Sequence, residues 1–185
     1  MHKTDIPVCP VINNRTAPAY KLARYLIKIL DQYISLNNYF NVTNSTNLAN
    51  DLTKLETHEN HKMISFDIKD LYVYTPLDEN LNIIKSKLLK YNNIQITQKK
   101  LSLLKVVLSH NYFMFQQKIY QSAQGISMGS PISSLFAEIF LQHYEDANVK
   151  QLLDMKSIAP YVRYVDDILI IYDIKKSTYT PSTHT

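Results

Sequence analysis

The sequence predicts an α+β fold, a short antiparallel sheet backed by helices. Residues 161–172, "YVRYVDDILIIY", hold two strand-like runs with two acidic residues between them, the pattern of a hairpin. Four segments, at about 22–33, 77–88, 101–108 and 132–140, repeat apolar residues at helical spacing. The chain has 185 residues, 45% hydrophobic and 19% charged, which suits one globular domain and not two large ones.

The elements follow in order. "MHKTDIPVCPVINNRTAP" is polar and punctuated by proline, so it reads as extended or loop structure. Leu22, Leu26, Ile29 and Tyr33 then define a helix, with Pro18 near its first turn. The polar stretch after it carries Leu48, Leu52 and Leu55, enough for a short helix in a connector. Met63, Ile64, Phe66 and Ile68 read as a strand broken by one acid, Asp67. Thr75-Pro76-Leu77-Asp78 has a cap residue, a first-turn proline and an early acid, and opens a helix through Leu81, Ile84 and Leu88. A further helix is expected from about Gln98 to Ser109. "YFMFQQKIYQ" resembles a hairpin whose Gln116-Gln117 turn is poor turn chemistry. Ser130-Pro131 opens a helix that buries Ile132, Leu135, Phe136, Ile139 and Phe140. After the second hairpin, "DIKKSTYTPSTHT" reads as a polar, disordered tail.

Composition removes several function classes. A single cysteine, Cys9, permits neither an internal disulfide nor a thiolate cage. No apolar run approaches the roughly 20 residues of a membrane span, and no signal-peptide pattern opens the chain, so no membrane partner is expected. Two Asn-X-Thr matches at 41–46 read as chance in an Asn-rich stretch. A net charge of +4 suits a nucleic-acid partner without demanding one. Glycine says more. The chain has two, Gly125 and Gly129, placed where backbone conformation or close approach needs them.

The acids carry the chemistry. Asp166 and Asp167 interrupt an apolar run, and alone they read equally as a solvent-exposed turn or as a functional site. Asp67 interrupts a second run, where an unpaired charge is costly; alone it reads as a strand end reaching solvent. If the two runs are neighbours, three carboxylates converge at one end of a sheet. Such charges repel unless hard cations neutralise them. Oxygen-only ligands suit magnesium, and two such ions can stabilise the attacking and leaving oxygens of a phosphoryl transfer.

Three motifs then resemble a known family. "SFDIKDLYVYTPL", "QGISMGSPISSLFAEIF" and "RYVDDILIIYD" look, in order, like the central motifs of reverse transcriptases. "HKTDIPVCPVI", "APAYKLARYL" and "MGSP" are most similar to Penelope-like retroelements, with telomerase-like and group II intron-like enzymes as the next resemblance. The resemblance implies a polymerase palm at 62–173, partial fingers and connecting helices at 1–61, and the tail at 174–185. It implies that Asp67, Asp166, Asp167 and the Ile68 carbonyl bind two Mg2+ ions, with Mn2+ as the alternative. Asp70 and Leu71 would offer backbone N–H groups to the incoming triphosphate. Tyr72 would stand against the sugar and exclude a 2′-hydroxyl; otherwise it is a packed strand aromatic. Gln124 and Gly125 would line the nucleotide and template pocket, the glycine loop letting a base pair approach. Lys3 would sit near the phosphates; otherwise it is a solvated terminal lysine. The implied partners are an RNA or DNA template, a DNA primer and deoxynucleoside triphosphates, and the implied location is the nucleus.

Three departures stand against full activity, one of them Gln116-Gln117 in place of the usual Asn-Gly-like hairpin turn. Cys9 occupies the place where relatives carry an arginine, whose bidentate grip on a triphosphate a thiol cannot reproduce. The resemblance also stops soon after Tyr172, so the expectation is a truncated domain without thumb or endonuclease, poorly soluble on its own. Two readings follow: an RNA-directed DNA polymerase, or a catalytically inactive retroelement remnant retaining metal or nucleic-acid affinity.

Overall fold

The computed structural model describes residues 14–36, 39–42, 44–154 and 158–176, the side chains of Asp154 and Ala159 excepted. Lys3, Cys9 and the tail beyond residue 176 lie outside the described residues. The fold is α+β, as the alternation of spacings predicts. It divides into two compact units, each built from two stretches of chain: Met1–Ser35 with Tyr72–Phe140, and Leu36–Leu71 with Leu141–Thr185.

The first unit is mainly helical. Helix α1 (Tyr20–Asp31) buries Ala23, Leu26 and Leu30 on one face. Helix α4 (Leu77–Leu89) buries Ile84 and Leu88 completely. Its N-cap is Pro76, not Thr75, and no side chain caps it; proline at that position forgoes a bond that a cap hydroxyl would have made. Helix α5 (Ile94–Ser109) starts a turn earlier than its apolar spacing suggests. The reason is Asn93, whose side chain accepts from the Ile96 N–H at 2.9 Å. It packs against α1 and α4, and buries Thr97, Leu104 and Val107. Helix α6 (Ser133–Tyr144) crosses from one unit into the other, and its first two turns bury Phe136 and Ile139. Asn80, fully buried on α4, donates to the Phe136 carbonyl at 2.7 Å and so ties α4 to α6. The hairpin of β2 (Tyr112–Phe115) and β3 (Lys118–Gln121) completes the unit.

The second unit holds the sheet. Helix α2 (Ser45–Thr53) is capped by Asn44, which accepts from the Asn47 N–H at 2.8 Å. Strand β1 (His61–Asp67) runs antiparallel to β5 (Asp167–Asp173), and β5 antiparallel to β4 (Ile158–Tyr164), in the order β1-β5-β4. The outer edge of β4 is covered: Arg163 N–H donates to the Phe40 carbonyl at 2.7 Å, and Val42 N–H to the Arg163 carbonyl at 2.8 Å. Pro160 has no N–H for the ladder, and the register slips between Ile158 and Tyr161. After α6 the chain makes a π-helical turn, Glu145–Val149, then α7 (Lys150–Asp154), an extension that apolar spacing does not foretell. Four residues after β1, where the chain passes from the second unit back to the first, comes α3 (Leu71–Tyr74), a single turn where the strand-like composition of "LYVY" gave no hint of helix. Residues 174–176, expected to open the tail, are held to the unit by the Ile174 N–H to Asn60 carbonyl bond of 3.0 Å.

Candidate active site

Strand pairing decides where the acids go. β1 ends on Asp67 and β5 begins on Asp167, and the antiparallel register sets these two residues directly opposite each other. Opposed residues in such a ladder share a face, with Cβ atoms about 4.5–5.5 Å apart. One bond beyond the strands, Ile68 N–H donates to the Asp166 carbonyl at 2.9 Å. The backbone therefore delivers Asp67, Ile68, Asp166 and Asp167 to one end of one sheet. The hairpin tip differs from the expected Asp166–Asp167 pair. Tyr164 pairs with Asp167, so the two-residue loop is Val165–Asp166 and Asp167 already belongs to β5.

That loop is strained. Val165 has φ 56°, a left-handed conformation that a β-branched residue rarely adopts. A tight hairpin needs positive φ at its first central position, ordinarily supplied by glycine, and here a valine is forced into it.

What holds the turn was missed in the sequence. Arg163, 1% exposed, forms an ion pair with Glu145, 4% exposed: Nε to Oε1 at 2.5 Å and Nη2 to Oε2 at 3.2 Å. Its Nη1 donates to the Val165 carbonyl at 3.1 Å. Tyr161, two residues back on the same face of β4, donates its hydroxyl to Glu145 Oε1 at 3.1 Å. Burial, then the Glu145 charge and that hydrogen bond, push the Tyr161 phenol far above the usual tyrosine range, against the opposing effect of Arg163. The available signal was Arg163 itself, a cation inside the same apolar run as the acids. Its partner, 18 residues earlier and past the end of α6, carries no local mark.

The remaining predicted residues sit as follows. Asp70 has φ 53°, which aspartate tolerates, and Leu71 is buried. Tyr72 is half-buried and belongs to the first unit, as do Gln124 and Gly125. Gly125 (φ +70°) lies so close to α3 that a Cβ would meet the Val73 carbonyl oxygen at 2.2 Å and the Tyr72 carbonyl oxygen at 2.5 Å. Ile126 N–H donates to that Tyr72 carbonyl at 2.8 Å. The close approach that excludes a side chain here is made by the chain's own backbone at 72–73. Gln124 is exposed, and its carbonyl accepts from the Ser122 hydroxyl at 2.9 Å.

A cation at the sheet end would need the three carboxylates. Their chemistry fits: three carboxylates and a backbone carbonyl are hard oxygen donors. Among the described residues no three His, Cys, Asp or Glu side chains form a ready metal-holding group.

An α+β fold with a short antiparallel sheet whose acids gather at one end is of the polymerase-palm class. The profile of the family described as "Reverse transcriptase (RNA-dependent DNA polymerase)" matches residues 14–184, and the chain belongs to that family, whose members are RNA-directed DNA polymerases. Among solved structures it is similar to apo telomerase of Candida tropicalis truncated from its C-terminal domain (TM-score 0.62, 16% identity, 88% of this chain and 36% of that one). It is also similar to telomerase of Candida albicans in complex with the TWJ fragment of telomeric RNA (TM-score 0.56, 14% identity, 83% and 30%). At that identity the likeness is one of fold, and the chain spans about a third of those telomerases. No curated protein sequence matches it significantly.

Proposed function

We propose that this chain is the reverse transcriptase domain of a retroelement, of the Penelope-like kind, adding deoxynucleotides to a primer 3′-hydroxyl along a template. Family membership supports the reaction class, and the motifs at 2–12, 17–26 and 128–131 support the subtype. The observation that carries the reading is the Asp67–Asp167 pairing, with Asp166 bonded through its carbonyl to Ile68.

Asp67, Asp166, Asp167 and the Ile68 carbonyl would hold two Mg2+ ions, or Mn2+. Bound there, they supply charge neutralisation for the attacking and leaving oxygens of an in-line transfer. The primer 3′-hydroxyl gives up its proton to solvent and attacks the α-phosphorus; a new P–O bond forms as the bond from that phosphorus to the α,β-bridging oxygen breaks, and pyrophosphate leaves. The rest falls to positioning. The Asp70 and Leu71 N–H groups, with Lys3, engage the triphosphate. Tyr72, fixed through its carbonyl by Ile126, stands against the sugar at C2′ and selects deoxynucleotides. Gln124 and Gly125 line the nucleotide and template side. A retroelement enzyme of this kind works in the nucleus.

The test is extension of a DNA primer on an RNA template with Mg2+ and deoxynucleoside triphosphates, with Asp166→Ala as control. Extension by the native chain, about 100–1000-fold weaker in the variant, is expected from loss of one group that stabilises the transition-state charge. Extension that survives the substitution overturns the assignment.

A further inference from the structure

We propose that Arg163 and Glu145 are positioning residues for the metal-holding acids: their buried ion pair sets the Val165–Asp166 turn and thereby the place of Asp166 and Asp167. The inference rests on the metal-site reading above and deepens it.

Burial makes the pair unusual. Two charges withdrawn from water lose hydration that their attraction only partly restores, and well-packed apolar residues of similar size commonly do as well for stability. Stability alone is thus a weak reason to keep them. Geometry offers a better one. The guanidinium is a planar fork with donors in fixed directions. Nε and Nη2 face the two oxygens of Glu145, and Nη1 reaches the carbonyl of Val165. Val165 is the strained residue of the turn, immediately before Asp166. A lysine could meet Glu145 as a point charge, but could not hold the carboxylate and the turn carbonyl at fixed angles together.

Both ends of the fork are themselves immobilised. Arg163 has its backbone N–H and carbonyl engaged by Phe40 and Val42, and it lies in register with Ile168. Glu145 opens a π-helical turn, a local rewinding often found at functional sites, and takes a second donor from Tyr161. Every one of these groups is in the same unit as Asp67, Asp166 and Asp167. The arrangement over-determines one peptide, which is what retention of a strained φ requires.

The experiment is terbium titration of the whole chain, read by tyrosine-sensitised luminescence, since Tyr164 is paired opposite Asp167. Terbium is a hard, oxygen-seeking stand-in for the divalent ions. Three variants are compared with the native chain: Arg163→Lys, the neutral double variant Glu145→Gln/Arg163→Met, and Leu104→Ala as a destabilised control from the other unit's core. Thermal unfolding confirms that each is folded. Loss of an outer partner of this type weakens metal binding about 10–100-fold. We expect that loss in Arg163→Lys and in the double variant, and native affinity in Leu104→Ala. Native affinity in a folded Arg163→Lys or in the folded double variant overturns the inference, as does an equal loss in Leu104→Ala, which would make the effect one of general destabilisation. If the native chain binds no terbium, or binds it as well after Asp166→Ala, the metal-site reading itself fails and carries this inference down with it.

Discussion

The two hairpins of this protein solve the same local problem in opposite surroundings. Each joins its strands by two residues, and each places non-glycine residues at positive φ: Gln116 (47°) and Gln117 (61°) between β2 and β3, Val165 (56°) between β4 and β5. Around Gln116–Gln117, among the described residues, little compensates. Tyr112, Met114, Phe115, Ile119 and Tyr120 are all exposed, and the Phe113–Tyr120 stack, 5.5 Å between ring centres, is its one cross-strand ring contact. Around Val165, a central strand, a covered edge and a buried ion pair converge. Strain in a tight turn is therefore not by itself a mark of function. What distinguishes the second hairpin is that its surroundings specify the strained residue from several sides at once, and that the next residue is an acid.

The contrast is easiest to break at matched isoleucines. Ile171 on β5 is 7% exposed and Ile119 on β3 is 76% exposed. Ile171→Ala should cost about 2–5 kcal/mol through lost burial and the cavity left behind. Ile119→Ala should stay within about 0.5 kcal/mol. Urea unfolding of the two variants measures both, and comparable losses would show that the exposed hairpin is packed in solution.

A subtler comparison uses the turns. Left-handed backbone costs a side-chain-bearing residue about 1–2 kcal/mol, part of which glycine's greater unfolded-state freedom gives back. Val165→Gly should thus change stability by less than about 1 kcal/mol, towards stabilisation, and so should Gln116→Asn/Gln117→Gly. Their metal affinities should part company. Val165→Gly loosens the peptide before Asp166 and weakens terbium binding, whereas the Asn-Gly turn leaves it native. Equal affinities in both would mean that the Val165 conformation does not serve the acids.

The two hairpins also show what sequence can and cannot carry. Runs rich in β-branched and aromatic residues on either side of two-residue turns locate all four of their strands, and helical spacing locates α1, α4, α5 and α6, because burial of one helix face imposes that period. Asp67, Asp166 and Asp167 stand out as charges interrupting apolar runs. Register was not legible. Whether Asp166 or Asp167 leads β5 depends on how β5 pairs with Tyr164 and Asp67, a contact between segments 100 residues apart. Glu145 was invisible for the same reason. A buried acid is recognisable only beside its cation, and that cation arrives through the fold. The close fit of Gly125 against the 72–73 backbone was foreshadowed only as a need for close approach by something.

The Tyr161 phenol gives the smallest and most specific handle on the anchored hairpin. Its raised value in the folded chain means that the unfolded chain loses this proton first as pH climbs past 10. The stability it contributes is intact below that point and declines as pH rises toward the folded value. Tyr161→Phe removes the ionisable group along with its hydrogen bond to Glu145. At neutral pH the variant should be less stable by about 1 kcal/mol, the usual worth of one such bond. Above pH 10 the difference should shrink, because only the native chain still has this decline to undergo. Unfolding free energies of both chains across that range test the point, with other titrating groups cancelling in the difference. A gap that stays constant with pH would show that Tyr161 is not held against Glu145, and would remove one of the two donors that fix the acid end of the ion pair.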